Sequence, residues 1–384
     1  MTTRLRAVAS DLFAWFLGPV VFISRWLTMS RPYFADGPAL IRAARDHVYV
    51  IQPPGYWLYG RAAALFPDPA FGLSLVNALA SAAGAVVFYA LALQLTTRSA
   101  ARLAVVAYSC IYFAWFAASV QSSYAGELLF SPLLLFLMVL YIERPHALLL
   151  VGIAVAYALA AGIRPSDGVF LAPALAYFTG RYVVSWRLRT FLITAAAVFC
   201  LLWFIPEQLA LSKFKATAAH QLWSVAGDRA PILHGFSKLA ISNIVRVASP
   251  LALALWSLAF AIFRAGENCV RTLLWLWIIP GLVFFTAVYI SEAPYLCFLL
   301  PAFLLLPLTP RPAARIHVGL AICCAWNVLF FLIARPVDVT RNLVIAEYSV
   351  NGARYGAWAL KHQWYRTLNT YTEVPAVRSG EHSR

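Results

Sequence analysis

The sequence predicts an all-α, polytopic transmembrane protein, on three observations. Hydrophobic residues make up 62% of the 384 residues, charged residues only 12%, and the mean hydropathy is +0.75; a soluble domain carries roughly a quarter charged residues. The apolar residues fall in runs of about twenty, the length that crosses the hydrocarbon core as a helix. No ten-residue alternating pattern repeats, so the backbone must satisfy its polar groups within helices rather than in a barrel.

About eleven spans are expected: 9–28, 71–96, 103–120, 127–142, 147–163, 168–180, 190–207, 239–263, 272–290, 295–309 and 314–334. The first carries Arg25 near its end, where a long side chain can snorkel. If the N-terminus with Arg4 and Arg6 is cytoplasmic, the inner loops hold Arg98 and Arg102, Arg144, Arg181, Arg187 and Arg189, Arg264 and Arg271, then Arg311 and Arg315. The short outer connections 121–126 and 291–294 hold none, which fits the positive-inside rule. This topology predicts a catalytic-sized membrane domain over 1–334, with outer segments 29–70 and 208–238, and a non-cytoplasmic tail over 335–384. A multi-pass protein of a bacterial inner membrane is the expected setting.

The net charge of +15 would suggest nucleic acid in a soluble protein. Here it reads as topogenic and headgroup-facing charge, with no nucleic-acid partner. The six cysteines mostly lie inside apolar runs and show no CxxC or Cys/His spacing, so neither a disulfide framework nor a zinc site is expected. Of the acids, only Asp11, Glu143 and Glu267 fall on the inner side. That lopsidedness is independent of the rule that sets orientation, and it points to work on the outer face.

The first outer segment concentrates the chemistry. Over 38–49 a short interfacial helix is expected: Pro38 suits its first position, with Leu40, Ile41, Ala44 and Val48 on one side and Arg42, Arg45, Asp46 and Tyr49 opposite. Asp36 stands just ahead, where the helix dipole favours its ionised form. Gln52-Pro53-Pro54-Gly55 stiffens the return, and Tyr56, Trp57 and Tyr59 re-enter at the level of an aromatic belt. On the residues alone Asp36 also reads as a helix cap, Glu127 as a headgroup-level acid and Arg164 as a lipid-headgroup contact, while Asp167 reads as a cap or turn residue, and Asp46 and His47 as a solvated face.

The pattern Tyr33-x-Ala35-Asp36-x-Pro38, an amphipathic helix, then Pro53-Pro54-Gly55-Tyr56-Trp57, resembles the first outer loop of the GT-C membrane glycosyltransferases. The nearest branch is that of the lipid A aminoarabinose transferases and the dolichyl-phosphate-mannose protein mannosyltransferases. The likeness extends to Ser122-Ser123-Tyr124-Ala125-Gly126-Glu127, to Gly162-Ile163-Arg164-Pro165 and to Glu292-Ala293-Pro294-Tyr295 through Pro301. It departs at Gly37, where the family has a second acid, and at Gln52, where the family has a basic residue. The resemblance implies transfer of a sugar from a polyprenyl-phosphate donor to a lipid or glycan acceptor, with inversion. It implies Asp36 as the catalytic carboxylate and Glu127 and Asp46 as acceptor or metal support. Arg164, Lys213, Lys215 and Arg229 are its carrier-phosphate candidates. Tyr33, Gln52, Pro53, Pro54, Tyr56, Glu292 and Tyr295 would line the substrate cavity, and Asp36 with Glu127 is the pair that would hold a divalent metal. Two other classes stay open on the residues: a transporter or flippase of a lipid-linked or amphipathic solute, and an inactive scaffold. Prolines and charges gathered toward the outer face, without a two-fold hydropathy repeat, favour surface chemistry over translocation.

Overall fold

The computed structural model describes residues 10–29, 36–47, 56–212, 269–285, 293–308 and 314–333, with strands between 335 and 361. Helices dominate, in the order α1 (Leu12–Leu27), α2 (Asp36–Arg45), α3 (Trp57–Ala63), α4 (Pro69–Leu95), α5 (Arg98–Cys110), α6 (Tyr112–Ser119), α7 (Tyr124–Glu143), α8 (Ala147–Ile163), α9 (Pro165–Tyr182), α10 (Trp186–Ser212) and α11 (Cys269–Val283). A 3₁₀ turn (Ala293–Leu299), α12 (Leu300–Leu305), a second 3₁₀ turn (Leu306–Leu308) and α13 (Ala314–Ile333) follow. Among the described residues α4, α7 and Trp186–Ala210 of α10 are long and apolar enough to cross a membrane, and α5 with the last part of α6 makes a fourth if read as one broken span. The segment expected at 239–263 lies outside the described residues.

Two expected spans come out differently. The one at 103–120 breaks at Ile111 (φ −59°, ψ 125°), bending by 63° between α5 and α6. The one at 295–309 alternates 3₁₀ and α turns, where Pro301 and Pro307 each remove a backbone donor. The tail adds short antiparallel strands: Glu347–Val350 pairs with Ala353–Gly356, which pairs with Arg335–Pro336. Asn351-Gly352, a dipeptide favoured between hairpin strands, separates the first two.

Local signals place the helix starts. Asp11 caps α1 by accepting from the Phe13 N–H, Asp68 caps α4 from the Ala70 N–H with Pro69 at the first position, and Thr97 caps α5. Because successive helices reverse direction, Arg98, Arg102, Arg144, Arg181, Arg187 and Arg189 gather at one end of the bundle. There Asp11 is buried and accepts from Tyr89 at 2.5 Å and from Arg102 at 2.7 Å. Burial opposes its charge, but these bonds and the Phe13 N–H hold its carboxyl below the usual carboxylate range. The opposite end carries the starts of α7 and α9, the end of α8, and the two short helices α2 and α3.

The bundle is drawn together where small residues and unmet carbonyls coincide. Pro132 within α7 lacks the N–H that would bond the Leu128 carbonyl. The Tyr108 hydroxyl donates to that oxygen at 2.6 Å instead. Gly84 of α4 presses on the same carbonyl, and a Cβ there would overlap it. At the Ile111 break, Ser109 loses the helical donor four residues on, and the buried Arg25 guanidinium donates to its carbonyl. Arg25 also donates to Ser81 at 3.2 Å and lies over the Trp115 ring at 4.0 Å. Rather than snorkelling, as expected at the end of the first span, it turns inward.

Two outcomes are expected. Gly84→Ala lowers thermal stability in detergent by about 1–3 kcal/mol, as overpacking does, whereas Gly180→Ala, whose Cβ would meet nothing within 4 Å, changes it by less than about 0.5 kcal/mol. Asp11→Asn lowers the melting temperature at neutral pH. Because the native carboxyl titrates below its unfolded value, the wild-type advantage is full above pH ~4 and disappears as pH falls below it; melts across pH 3–7 read this out.

Candidate active site at the loop-bearing end

The first outer segment forms its expected helix two residues early, as Asp36–Arg45. Pro38 then falls in the first turn, where backbone donors have no helical acceptor and its missing N–H costs nothing. Leu40, Ile41 and Ala44 are buried with Tyr56, Tyr59, Ala63 and Leu73, while Arg42, Arg45 and Asp46 are exposed. His47, at φ 54°, ends the helix in the left-handed region. Asp36 is therefore the first helical residue rather than one standing ahead; its side chain lies outside the described residues. So do Tyr33, Gln52, Pro53, Pro54, Lys213, Lys215, Arg229 and Glu292.

Helix α3 is tied to the start of α7 through one buried amide. The Tyr59 hydroxyl donates to Asn77 Oδ1 at 2.8 Å, and Asn77 Nδ2 donates to the carbonyls of Val120 at 2.5 Å and Ser122 at 3.2 Å. Three residues past Ser123, Gly126 faces Ile163, where a Cβ would meet Ile163 Cγ2 at 2.7 Å. That close approach of α7 and α8 sets Glu127 against Arg164. Arg164 is extended (φ −146°, ψ 101°) between α8 and α9, and Pro165 starts the next helix. The residue before a proline is driven out of the helical region, so the Arg-Pro pair itself turns the guanidinium into the bundle.

The pair is buried on both sides. Arg164 Nη1 donates to Glu127 Oε1. The guanidinium lies against the rings of Tyr124 at 4.4 Å and Tyr295 at 4.7 Å, which neighbour each other at 5.2 Å, tilted by 59°. Glu127 Oε2 accepts the Phe298 N–H at 2.8 Å. The carbonyl of the same residue accepts from the Ser131 hydroxyl at 2.5 Å and from Trp277 Nε1 at 2.9 Å. Three side chains thus clamp the 3₁₀ turn that sets Tyr295 over Arg164. Asp167, also buried, lies within electrostatic reach of both Glu127 and Arg164, and Tyr56 within reach of Arg164.

Of the expected site residues, the structure brings together Glu127, Arg164 and Tyr295, with Tyr56 beside them. Asp46, in the turn just past α2, is exposed. Asp167 joins the centre instead of merely turning the chain. Its signal was an acid two residues after Arg-Pro at the edge of an apolar run, the kind of place where an intramembrane acid is costly unless used. Asn77 and Glu207, both buried polar residues within apolar helices, carried the same signal. Both Glu127 oxygens accept hydrogen bonds, and among the described residues no three His, Cys, Asp or Glu side chains converge; the Asp36 side chain, the other half of the expected metal pair, lies outside them.

Residues 51–209 match the family model described as dolichyl-phosphate-mannose-protein mannosyltransferase. In structure the chain is similar to ArnT from Cupriavidus metallidurans, solved bound to undecaprenyl phosphate. The TM-score is 0.60 at 18% identity, over 83% of this chain and 65% of that one. It is also similar to the arabinofuranosyltransferase AftD from Mycobacteria, with a TM-score of 0.53 at 14% identity, over 83% of this chain and 26% of that one. The chain therefore spans just under two thirds of ArnT and about a quarter of AftD. No curated protein matches the sequence.

Removing one partner of the central pair is expected to be costly. Arg164→Met alone, leaving a buried carboxylate, destabilises by about 3–5 kcal/mol, and Glu127→Gln added to it recovers much of that loss. A double-mutant cycle on detergent melts measures the coupling.

Proposed function

The chain is a GT-C-fold membrane protein, and on that premise we propose that it is a glycosyltransferase using a polyprenyl-phosphate sugar donor. The acceptor is a lipid or glycan hydroxyl at the non-cytoplasmic face of a bacterial inner membrane. The observation that carries the reading is the buried Arg164, held by Glu127 and lying against the rings of Tyr124 and Tyr295, at the bundle end where the helices of the Asp36 segment dock. The mannosyltransferase-family match and the ArnT fold likeness, with undecaprenyl phosphate bound in ArnT, support it.

In the proposed step the acceptor hydroxyl gives its proton to the Asp36 carboxylate, and its oxygen attacks the anomeric carbon. The bond from that carbon to the phosphate oxygen breaks on the opposite face, and the carrier phosphate leaves with the electron pair, so the centre inverts. Proton removal in the transition state is the task of a positioned base. Arg164 meets the charge developing on the phosphate with donors that are fixed before reaction, the condition under which such stabilisation is largest. Glu127 positions Arg164, and the rings of Tyr124 and Tyr295 lie against its guanidinium and shield it in part from water. The arginine-rich end, carrying Arg98, Arg102 and Arg144, faces the cytoplasm in this reading.

The test is sugar transfer from radiolabelled polyprenyl-phosphate sugars to a membrane lipid extract by purified protein. Asp36→Asn is expected to lower the rate about 10²–10⁴-fold with an unchanged melting temperature. Equal rates for both proteins would remove Asp36 from the chemistry.

A further inference from the structure

Arg164 and Asp167 start from one turn of the chain, where the Asp167 N–H donates to the Arg164 carbonyl at 2.9 Å. Both side chains are buried, Arg164 at 6% and Asp167 at 2% exposure. Yet they form no ion pair with each other. Glu127 takes Arg164 Nη1, and the tyrosine rings meet the guanidinium as a charge. Among the described residues Arg164 Nε and Nη2 make no hydrogen bond, and Asp167 is met only by the Ser166 hydroxyl, at 3.5 Å on Oδ1. Neither those two nitrogens nor Asp167 Oδ2 is among the unmet atoms sealed inside the bundle, so each borders open space. Two acids also share one cation, since no second Lys or Arg among the described residues lies within reach of Asp167. A buried carboxylate without a cation of its own needs a donor. At the surface an acid in a first helical turn serves the dipole as well; burial beside Arg164 is what calls for a further partner.

We propose that the space between Arg164 and Asp167 holds the anomeric end of the sugar donor, and that Asp167 selects donors with a free hydroxyl on the carbon next to the anomeric one. The inference rests on the transferase reading and names its substrate class. Arg164 Nε and Nη2 call for an acceptor, and Asp167 Oδ2 calls for a donor. A glycosyl phosphate carries that pair on neighbouring carbons. A non-bridging phosphate oxygen meets the guanidinium, and the 2-hydroxyl gives its hydrogen to the carboxylate. A phosphate diester alone gives the acid a like charge and no hydrogen. The acceptor hydroxyl does not compete for Asp167, because it attacks from the face opposite the phosphate and so opposite Arg164. A hydrogen bond at the 2-hydroxyl strengthens as positive charge grows on the sugar ring. Asp167 therefore serves the rate as well as the choice of donor.

The experiment measures binding of polyprenyl C-glycosyl phosphonates, which cannot transfer their sugar, to the full chain in nanodiscs. The panel covers pentoses and hexoses, each beside its 2-deoxy and 2-O-methyl forms, and polyprenyl phosphate without a sugar. At least one sugar is expected to bind about tenfold tighter than its 2-deoxy and 2-O-methyl forms, the worth of one hydrogen bond to a charged group. Asp167→Leu, close in volume and without an acceptor, removes that preference. The same variant binds polyprenyl phosphate as tightly as before or tighter, because a like charge is gone, whereas loss of a merely structural acid would weaken every ligand alike. Equal wild-type binding of every sugar and its 2-deoxy form, or a preference that survives Asp167→Leu, overturns the subsite. The wild-type arm decides even where the variant folds poorly. A preference that vanishes in chelator and returns with Mg²⁺ assigns Asp167 to a cation and overturns it too. Saturable binding of polyprenyl phosphate with no preference among the sugars removes the subsite alone. No binding of any polyprenyl compound removes the transferase reading with it.

Discussion

A carboxylate and a guanidinium taken out of water each lose several kcal/mol of solvation, and their mutual attraction offsets this only when the remaining donors and acceptors are met. The Glu127–Arg164 pair meets that demand through groups from four separate places in the chain. Glu127 and Tyr124 come from the start of α7, Arg164 from the α8–α9 junction, Tyr295 and the Phe298 N–H from the 3₁₀ turn, and Ser131 and Trp277 hold the Phe298 carbonyl. Each contributor is positioned by the need to keep that pair satisfied. The small residue Gly126 supplies the close approach, and Pro165 supplies the turn.

The same accounting explains the irregular backbone elsewhere in the bundle. In hydrocarbon a carbonyl released from its helix finds no water and must be met by protein. Tyr108 meets the one freed by Pro132, and Arg25 meets the one freed by the break at Ile111. In consequence α6 is clasped to the end of α1, where Trp115 Nε1 donates to Thr28 Oγ1 at 2.8 Å and Thr28 and Ser119 share a hydrogen bond at 3.0 Å. The chain that leaves this clasp leads directly to Asp36. Anchoring on one side by α1 and on the other by Tyr59 and Asn77 ties the Asp36 segment to rigid helices, which is what a positioned base requires.

Much of this was legible in the residues. Hydropathy alone marked the helical membrane architecture, because a run of twenty apolar residues has few other stable forms. The period of Leu40, Ile41 and Ala44 marked the amphipathic α2 and its buried face, and the Tyr33–Trp57 pattern marked the likeness that the fold comparisons bear out. The hairpin of Glu347–Val350 with Ala353–Gly356 in the tail was not read from the sequence, because hydropathy does not show it.

The partnerships were another matter, and the reason is physical. Composition and period record how each residue meets its own helix, whereas an ion pair records how two helices meet each other. Glu127 and Arg164, 37 positions apart, read separately as headgroup-level charges, and Arg25 as a side chain reaching for water. Only helix packing, set by glycines and prolines that act at contacts between distant segments, turned these charges inward and brought Asp167 beside them.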